Sequence, residues 1–281
     1  MAGESSPEGA LAGRVVVVTR RTEDASELQA ALESQAAEVV LTPCIRHERR
    51  DLEAGAVAAV LEPKRFTHAA FTSKAAVECF AALLEQAAAR DDSEQVIEDW
   101  HRCTIAAIGG TTARALAAAG FKVDCVPDPQ VAAGGEVLAR TLVASGTLGE
   151  DSRILLPQSR QARPELKDHL QRAGVAVEVA AIYDTVPEEP RQVAPFLERI
   201  AAGTPPDAIT FFSPSAVTAF LGLTADAGRA ALQSDATRIV SVGPTTSAAV
   251  RAQGLEITTE ARRPGTQAVV EAVVKALPSP P

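Results

Sequence analysis

The chain has 281 residues, of which 46% are hydrophobic and 4% aromatic, and its formal net charge at pH 7 is −9. This length predicts two domains of ordinary size. The acidic balance argues against nucleic acid as a partner, because phosphate backbones are bound by basic surfaces. No stretch reaches the roughly 18 uninterrupted apolar residues of a membrane-spanning helix, so no membrane partner is expected.

The N-terminal residues are small and acidic rather than basic and apolar, so the sequence gives no sign of a secretory signal. Cysteines stand far apart at Cys44, Cys79, Cys103 and Cys125, without a CxxC pair. This spacing argues against a zinc or redox motif, and we expect no metal site. Packed thiols in a reducing cytoplasm are the favoured interpretation, which predicts a cytoplasmic protein.

Short apolar runs alternate with helical patterns along the whole chain. The predicted strands cover residues 15–19, 39–41, 68–72, 105–108, 122–126, 153–156, 175–183, 207–212, 238–242 and 255–259. Helices are predicted between them, among others at 52–61, 137–143 and 163–173. This alternation is typical of right-handed βαβ crossovers and parallel sheets. The predicted fold class is α/β, with two flavodoxin-like, doubly wound domains.

The sequence repeats itself at an offset of about half its length. FTSKAAVECF from Phe71 returns as FFSPSAVTAF from Phe211, and IAAIGGTTARALAAAG from Ile105 returns as IVSVGPTTSAAVRAQG from Ile239. More weakly, RVVVVTRR at the start is echoed by RILLPQSR from Arg153. Such self-similarity predicts one structural unit per half. A ligand site is expected where two such units face each other.

Two extended, polar segments have the character of connectors: CIRHERR at 44–50 and the stretch 180–189, which ends in PEEP. If they lie side by side, the chain leaves the first domain early, builds the second and then returns. A simple tandem split of the two halves is the alternative that the pattern leaves open.

The turns that follow the predicted strands are rich in hydroxyl groups. In open parallel sheets ligands bind at this edge, where helix N-termini can hold carboxylates or phosphates. Ser and Thr are also the ordinary N-caps of any helix, so for any single turn capping is the better interpretation. The functional interpretation depends on the occurrence of six such turns together and on the glycines in IGGTT and VGPTT, which allow the backbone to approach a ligand closely. The turns are Thr19-Arg20-Arg21, Thr72-Ser73-Lys74, Gly109 to Thr112, Gln158-Ser159-Arg160, Ser213-Pro214-Ser215 and Gly243 to Thr246.

Familiar catalytic fingerprints are missing from the sequence. It contains no GxGxxG, no GxxxxGK[ST] and no GxSxG, so nucleotide cofactors and the hydrolase elbow have no support. The histidines, His47, His68, His101 and His169, fall at unrelated positions and are interpreted as surface or packed side chains. The single tyrosine, Tyr183, is either an aromatic that packs between domains or a phenol that donates a hydrogen bond to a leaving oxygen.

Taken together and in order, these motifs resemble the uroporphyrinogen-III synthase family. The resemblance runs from Arg14 to about Leu277 through VVTRR, FTSKAAV, IAAIGGTTARAL, LLPQS, ARPEL, IYDT, ITFFSPSAV and VSVGPTTSAAV. It implies two flavodoxin-like domains joined by a two-stranded antiparallel linker. The implied boundaries are a disordered tail at 1–13, a first domain of 14–43 plus 187–281, linker strands at 44–52 and 179–186, and a second domain at 53–178.

The resemblance also implies the reaction. Linear hydroxymethylbilane loses water and closes, with inversion of ring D, and no cofactor takes part. By its position in the family pattern, Tyr183 would assist departure of the hydroxyl. The implied substrate-binding residues are Arg20, Ser73, Gly109, Thr112, Ser159, Ser213, Gly243, Thr245 and Thr246. One departure from the family pattern is Ala75, which cannot supply a polar contact.

Two other functions remain open at this stage. The first is a tetrapyrrole-sensing module of the same fold without catalysis, which the absence of an appended helix-turn-helix after PSPP disfavours. The second is an unrelated two-domain enzyme such as a glycosyltransferase, which would give Tyr183 no role. We expect a monomer, because each domain can bury its own core, and a hand-over of substrate from hydroxymethylbilane synthase.

Overall fold

The computed structural model describes residues 9–49, 52–88, 93–128, 134–263 and 265–277. The strands in these ranges are β1 (Val15–Val18), β2 (Glu38–Leu41), β3 (Ile45–Glu48), β4 (His68–Phe71), β5 (Thr104–Ala107), β6 (Arg153–Ser159), β7 (Ala176–Pro187), β8 (Ala208–Phe211), β9 (Arg238–Ser241) and β10 (Thr259–Glu260). Short 3₁₀ turns cover Pro63–Arg65 and Pro190–Val193.

Helices follow almost every strand. They are α1 (Thr22–Glu33), α2 (Ala54–Leu61), α3 (Lys74–Ala88), α4 (Ser93–His101), α5 (Gly110–Ala118), α6 (Gly135–Ala144), α7 (Glu165–Arg172), α8 (Ala194–Ala201), α9 (Pro214–Gln233), α10 (Pro244–Ala252) and α11 (Thr266–Ala276). Within the described ranges, no helix has the length and apolar character needed to cross a bilayer.

The chain divides into two compact units. The first unit comprises Met1–Arg46 and Val186–Pro281, and the second comprises His47–Thr185. Both crossings fall inside strands, one in β3 and the other in β7, and these two strands are neighbours in one sheet. Glu188 donates its N–H to the carbonyl of Cys44 at 2.9 Å, whereas further along β3 the ring of His47 contacts Tyr183. Residue numbers therefore rise from Cys44 to His47, while those of their partners fall, from Glu188 to Tyr183. The strands β3 and β7 are antiparallel.

The first unit has the flavodoxin strand order. Its sheet runs β10-β9-β8-β1-β2, and every pair is parallel. Read from β2, with the five strands of the unit numbered in chain order, this is the 2-1-3-4-5 arrangement. The side chains of β1 alternate between the two faces, because Val16 and Val18 join one apolar cluster and Val17 joins the other. The sheet is therefore covered on both faces, as a parallel sheet requires, and the predicted α/β fold class is confirmed.

The second unit repeats this arrangement with a different starting point. Its sheet runs β3-β7-β6-β4-β5, and a single parallel bridge from Ala106 to Cys125 continues it beyond β5. The repeated sequences equate β4 with β8, β5 with β9 and β6 with β1. With β7 taken as the counterpart of β2, the spatial order is the same, and the chain order is circularly permuted. One architecture therefore occurs twice in this chain.

The outermost predicted strand of each unit is much shorter than expected. Residues 122–126 supply only the bridge at Cys125, and the run predicted at 255–259 becomes β10. In both places a side chain replaces a carbonyl as acceptor: Asp124 accepts the N–H of Ile105 at 3.0 Å, and Thr258 accepts that of Ile239 at 3.1 Å. A side-chain acceptor at this position interrupts the regular ladder, so the predicted strands at these edges were too long.

Residues 9–13 belong to the folded first unit, so the prediction of a disordered tail at 1–13 was wrong for this part. Leu11 is fully buried in the same apolar cluster as Leu28 and Leu32, and its N–H donates to the carbonyl of Gln35 at 2.9 Å. The apolar Leu11 between small residues is the reason, because it fills the space beside α1. Residues 1–8 lie outside the described residues.

Candidate functional site

The topology singles out one place at the carboxyl edge of each sheet. In the first unit the connection from β1 leads to one side of the sheet and that from β8 to the other, although the two strands are neighbours. In the second unit β6 and β4 have the same relationship. Ligands of open α/β sheets bind at such switch points, because the diverging connections leave a crevice. Each unit therefore has a candidate crevice of its own.

The second unit contains the phenol. Tyr183 lies on β7 with 6% of its surface exposed, and its hydroxyl shares a hydrogen bond of 2.9 Å with the hydroxyl of Ser73. Ser73 follows β4, and its oxygen also accepts the N–H of Ala76 at 3.0 Å in the first turn of α3. The structure thus brings together two of the predicted residues, one from β7 and one from the turn after β4.

His47 also lies beside this phenol. Its ring lies edge-on to that of Tyr183, with centroids 4.9 Å apart and planes at 65°. The sequence predicts a surface or packed side chain for His47, and the structure shows a packed one, but its packing partner Tyr183 was not predicted. The contact could have been predicted from the two connector segments, 44–50 and 180–189. If they lie side by side, His47 comes near Tyr183.

A local irregularity sets the position of Tyr183. The pairing of β6 with β7 shifts between Gln158 and Ser159, so that Gln158 is opposite Ala181 but Ser159 is opposite Tyr183. Strand irregularities of this kind re-aim side chains beside active sites. Ser159 itself is 7% exposed, and its hydroxyl donates to Oε1 of Gln161 at 2.7 Å. Its proton is therefore engaged locally, which weakens the prediction that Ser159 binds substrate.

The two glycine turns lack a structural reason for glycine. Gly109 precedes α5 with a φ of 178°, and Gly243 precedes α10 with a φ of 166°. Both angles are extended and open to any residue, and a Cβ at either position would meet nothing within 4 Å. No side chain caps α5 or α10 in the described structure. The open space beside uncapped N–H groups favours close approach by a ligand over a packing role.

The threonines of these turns differ in exposure. Thr112 and Thr246, at equivalent places in the repeat, are 4% and 3% exposed, whereas Thr245 is exposed. The buried pair lies in the first turns of α5 and α10, at the base of the turns, and Thr245 lies at the surface. Of the three predicted threonines, Thr245 has the side chain most accessible to a ligand.

The first unit presents a cation instead of a phenol. The guanidinium of Arg20, after β1, lies 5.2 Å from the ring centroid of Phe212, after β8. Its neighbour Arg21 is bound to Glu23 and Asp24. In the part of the chain that the structure describes, Arg20 has no carboxylate partner, so its charge is available. Phe212 was not singled out by the sequence analysis, although it stands immediately before the serine turn.

Ser213 is the counterpart of Ser73 and caps its helix in the same way. Its oxygen accepts the N–H of Ala216 at 3.1 Å, at the start of α9. Its second partner is the hydroxyl of Ser215 at 2.9 Å. Helix capping therefore explains both serines, as the simpler interpretation expected, but only Ser73 is also bonded to a phenol.

The cysteines have the environment of packing groups. Burial raises the pKa of the Cys103 thiol to about 11, and the nearby Asp99 carboxylate contributes to the shift. Burial likewise raises the pKa values of Cys44 and Cys125, with smaller contributions from Glu188 and Asp124. All of these thiols are protonated near neutral pH and are poor nucleophiles. Among the described residues, no group of three or more His, Cys, Asp or Glu could hold a metal ion.

With this geometry established, comparison with known proteins decides the family. A family model described as uroporphyrinogen-III synthase HemD matches residues 26–271. The chain belongs to the uroporphyrinogen-III synthase family. Membership assigns the chain to porphyrin biosynthesis as a uroporphyrinogen-III synthase, and the non-catalytic sensing alternative gains no support from it.

Solved structures agree on the fold. A mutant uroporphyrinogen III synthase from Thermus thermophilus is 20% identical, with a TM-score of 0.60, and the alignment covers 94% of this chain and 98% of that one. The uroporphyrinogen-III synthetase from Helicobacter pylori is also 20% identical, with a TM-score of 0.59 and coverage of 93% and 99%. At this identity the likeness concerns the fold, which is that of the synthase family.

Proposed function

We propose that this family member is a hydro-lyase that converts linear hydroxymethylbilane to uroporphyrinogen III, closing the macrocycle with inversion of ring D. The observation that carries the proposal is the phenol of Tyr183 at the carboxyl edge of the second sheet, buried and bonded to Ser73. A neutral phenol suits a leaving hydroxyl that needs a proton but no strong acid.

The proposed proton balance needs only Tyr183. The bond between the terminal methylene and its hydroxyl breaks, and the oxygen leaves with the electron pair while the phenol supplies the proton that makes it water. The lone pair of the adjacent pyrrole nitrogen compensates for the lost electrons, which gives a reactive azafulvenium cation that keeps its N–H. Ring D attacks this methylene carbon through its substituted α-carbon, which gives a spiro intermediate. The bond from that α-carbon to the methylene between rings C and D then breaks, this methylene rejoins ring D at the free α-carbon, and the proton that the free α-carbon loses returns to the phenolate.

The geometry of the bound substrate determines whether ring D attacks through its substituted carbon or through its free position. We propose that the polycarboxylate substrate is held curled by the turns at the carboxyl edges, which is catalysis by orientation. Support comes from the uncapped glycine turns at Gly109 and Gly243, from the exposed hydroxyl of Thr245 and from the available guanidinium of Arg20.

The same residues offset the electrostatic repulsion between the acidic protein and its polycarboxylate substrate. The net charge of −9 repels a polyanion, so local groups must provide the attraction. Helix N-termini and a guanidinium are suited to carboxylates, since backbone N–H groups and the planar fork donate hydrogen bonds directly. Thr112, Thr246, Ser159 and Ser213 belong to these turns and remain proposed contacts with a supporting role.

The test is an isomer assay. Freshly prepared hydroxymethylbilane is incubated with the protein, the product is oxidised, and the type I and type III isomers are separated. We expect type III well above the amount formed spontaneously. Folded protein that yields only type I would overturn the proposed activity, and tight tetrapyrrole binding in that case would favour the sensing module.

We further propose a cytoplasmic, monomeric enzyme that receives its unstable substrate from hydroxymethylbilane synthase. The supporting observations are the separate apolar clusters of each unit and the burial of the thiols. Sedimentation of the purified chain tests the oligomeric state. A faster rate of type III formation when both enzymes are mixed, compared with added free substrate, tests the hand-over.

A further inference from the structure

The hydroxyl groups of Ser73 and Tyr183 share one hydrogen bond, and its direction limits what either group can do. The two oxygens are 2.9 Å apart, and either can be the donor. Each hydroxyl has a single proton and two acceptor lone pairs. If Tyr183 donates to Ser73, the phenolic proton is engaged and cannot reach a leaving oxygen. If Ser73 donates to Tyr183, Ser73 has no proton left for a substrate carboxylate.

The helix cap favours the second direction. One lone pair of the Ser73 oxygen accepts the N–H of Ala76 at 3.0 Å, in the first turn of α3. An accepted hydrogen bond polarises the hydroxyl and makes it a better donor, because bonds in a chain strengthen one another. The N-terminal end of α3 adds positive potential at the same oxygen. Both effects direct the serine proton toward the phenol oxygen.

We infer that Ser73 is a positioning residue, which accepts from Ala76 and donates to Tyr183 so that the phenolic proton points to the substrate. The inference rests on the proposed function, in which Tyr183 protonates the leaving hydroxyl. It reassigns Ser73 from the carboxylate-binding role that the sequence predicted. The hydrogen bond also stabilises the phenolate that exists until the proton returns.

Other contacts of Tyr183 agree with a fixed phenol. The ring is 6% exposed, the ring of His47 packs against it at 4.9 Å, and the register shift between Gln158 and Ser159 sets its position along β7. These contacts hold the ring, whereas Ser73 contacts the oxygen. Removal of the serine hydroxyl should therefore disturb the proton without displacing the ring.

The internal repeat supplies a matched control. Ser213 caps α9 through Ala216 as Ser73 caps α3, but its other partner is Ser215 and not a tyrosine. Ser73→Ala removes a cap and a bond to the phenol, whereas Ser213→Ala removes a cap and a bond to another serine. The two variants therefore separate the general cost of a lost cap from the specific effect on Tyr183.

The kinetic test is a double-mutant cycle with Tyr183→Phe, scored as kcat and KM for type III formation. We expect Ser73→Ala to lower kcat about tenfold with little change in KM, and to have no further effect in the Tyr183→Phe background. Ser73→Thr should restore most of the rate. The effect of Ser213→Ala should be the same in both backgrounds. An equal loss from Ser73→Ala with and without the phenol, or a loss confined to KM, would overturn the inference.

A second measurement needs no substrate. Tyr183 is the only tyrosine, so near-ultraviolet absorbance of tyrosinate reports on this one phenol. In folded protein, Ser73→Ala should move the ionisation midpoint to higher pH, because the donor that stabilises phenolate is gone, and Ser213→Ala should leave it in place. An unmoved midpoint in folded Ser73→Ala would contradict the inference. If the wild type forms no type III isomer, the proposed function fails while this titration still reports on Ser73.

Discussion

The carboxyl edges of the two sheets share a scaffold but differ in chemistry. Each has a glycine turn before an uncapped helix and a serine that caps another helix. The second unit adds a buried phenol bonded to its serine, while the first adds a guanidinium over Phe212. In the register of the repeat Arg20 corresponds to Ser159, and the next residue, Arg160, is neutralised by Asp184 at 3.2 Å. In the proposed function the edge of the second unit supplies the chemistry and that of the first unit binds carboxylates, and we call them the chemical edge and the anchoring edge.

The largest expected effect is at the chemical edge. Tyr183→Phe should lower kcat for type III formation about 100-fold, because general-acid assistance is lost while the ring still packs against His47. Rates of substrate loss and product isomer ratios measure it, with circular dichroism to confirm the fold. An unchanged rate would remove Tyr183 from catalysis and with it the distinction between the edges.

The glycine turns test whether both edges bind carboxylates. Gly109→Ser and Gly243→Ser should each raise KM about tenfold, since a side chain would occupy the space of the ligand. The melting temperature should stay the same or rise, because serine is a good N-cap and its Cβ meets nothing within 4 Å. Gly149→Ser is the control, because Gly149 lies before the amino end of β6 and has equal space.

If only one glycine variant changes KM, carboxylate binding belongs to that unit alone. A fall in stability with an unchanged KM in both variants would show that the glycines serve the fold. Steady-state kinetics and thermal unfolding on the same preparations distinguish these outcomes.

The two arginines test the anchoring edge. Arg20→Gln should raise KM about fivefold, and the difference from wild type should shrink at high ionic strength, as expected for a partly exposed charge. Arg160→Gln should change KM less, because Asp184 already neutralises that guanidinium. Equal effects of the two substitutions would contradict the proposed asymmetry.

The smallest expected effect is on the stability of the protein, and it comes from His68 at the amino edge of the second sheet. His68, at the start of β4, is 3% exposed and bonds to Thr67 and Thr147, whereas the equivalent residue in β8 is Ala208. Burial lowers the pKa of His68 from its usual 6.5, although Asp124 opposes the shift. Below pH 6.5 the unfolded chain therefore binds more protons at His68 than the folded chain does. The contribution of His68 to the free energy of unfolding is full above pH 6.5 and is lost as the pH falls toward the pKa of His68 in the folded protein.

Urea unfolding at several pH values measures this dependence. The slope of stability against pH below 6.5 should be flatter in His68→Asn than in wild type. A slope that the substitution leaves unchanged would assign the acid sensitivity to carboxylates such as Asp124, whose pKa is lowered because hydrogen bonds from Lys122 and Ile105 outweigh its burial.

The fold class was predictable from the sequence because its signals are local and repeated. Alternating β-branched runs and the echo of Phe71 at Phe211 define parallel strands and two units without any long-range information. The edge strands were overestimated, because Asp124 and Thr258 replace ladder carbonyls with side chains, a choice that hydrophobicity does not record. Leu11 was missed because one apolar residue among small ones has no periodicity.

The sequence predicts candidate residues for the site but not the contacts between them. Residue types and positions after strands identified Ser73, Tyr183 and the glycine turns as candidates. The hydrogen bond between Ser73 and Tyr183 spans 110 positions, and no local pattern reveals such a pair. Arg20 above Phe212 depends in the same way on the neighbouring positions of β1 and β8. Pairwise contacts of this kind distinguish a binding residue from a positioning residue.

The permuted strand order bears on how the gene could be rearranged. The position that corresponds to the two chain ends of the first unit is the connection between α6 and β6 in the second, and Leu11 and Leu277 occupy one apolar cluster. Opening the polypeptide at that connection and fusing its present ends would make the first unit the inserted one. Duplication of a single ancestral unit accounts for either version, since both keep the same strand neighbours within each sheet.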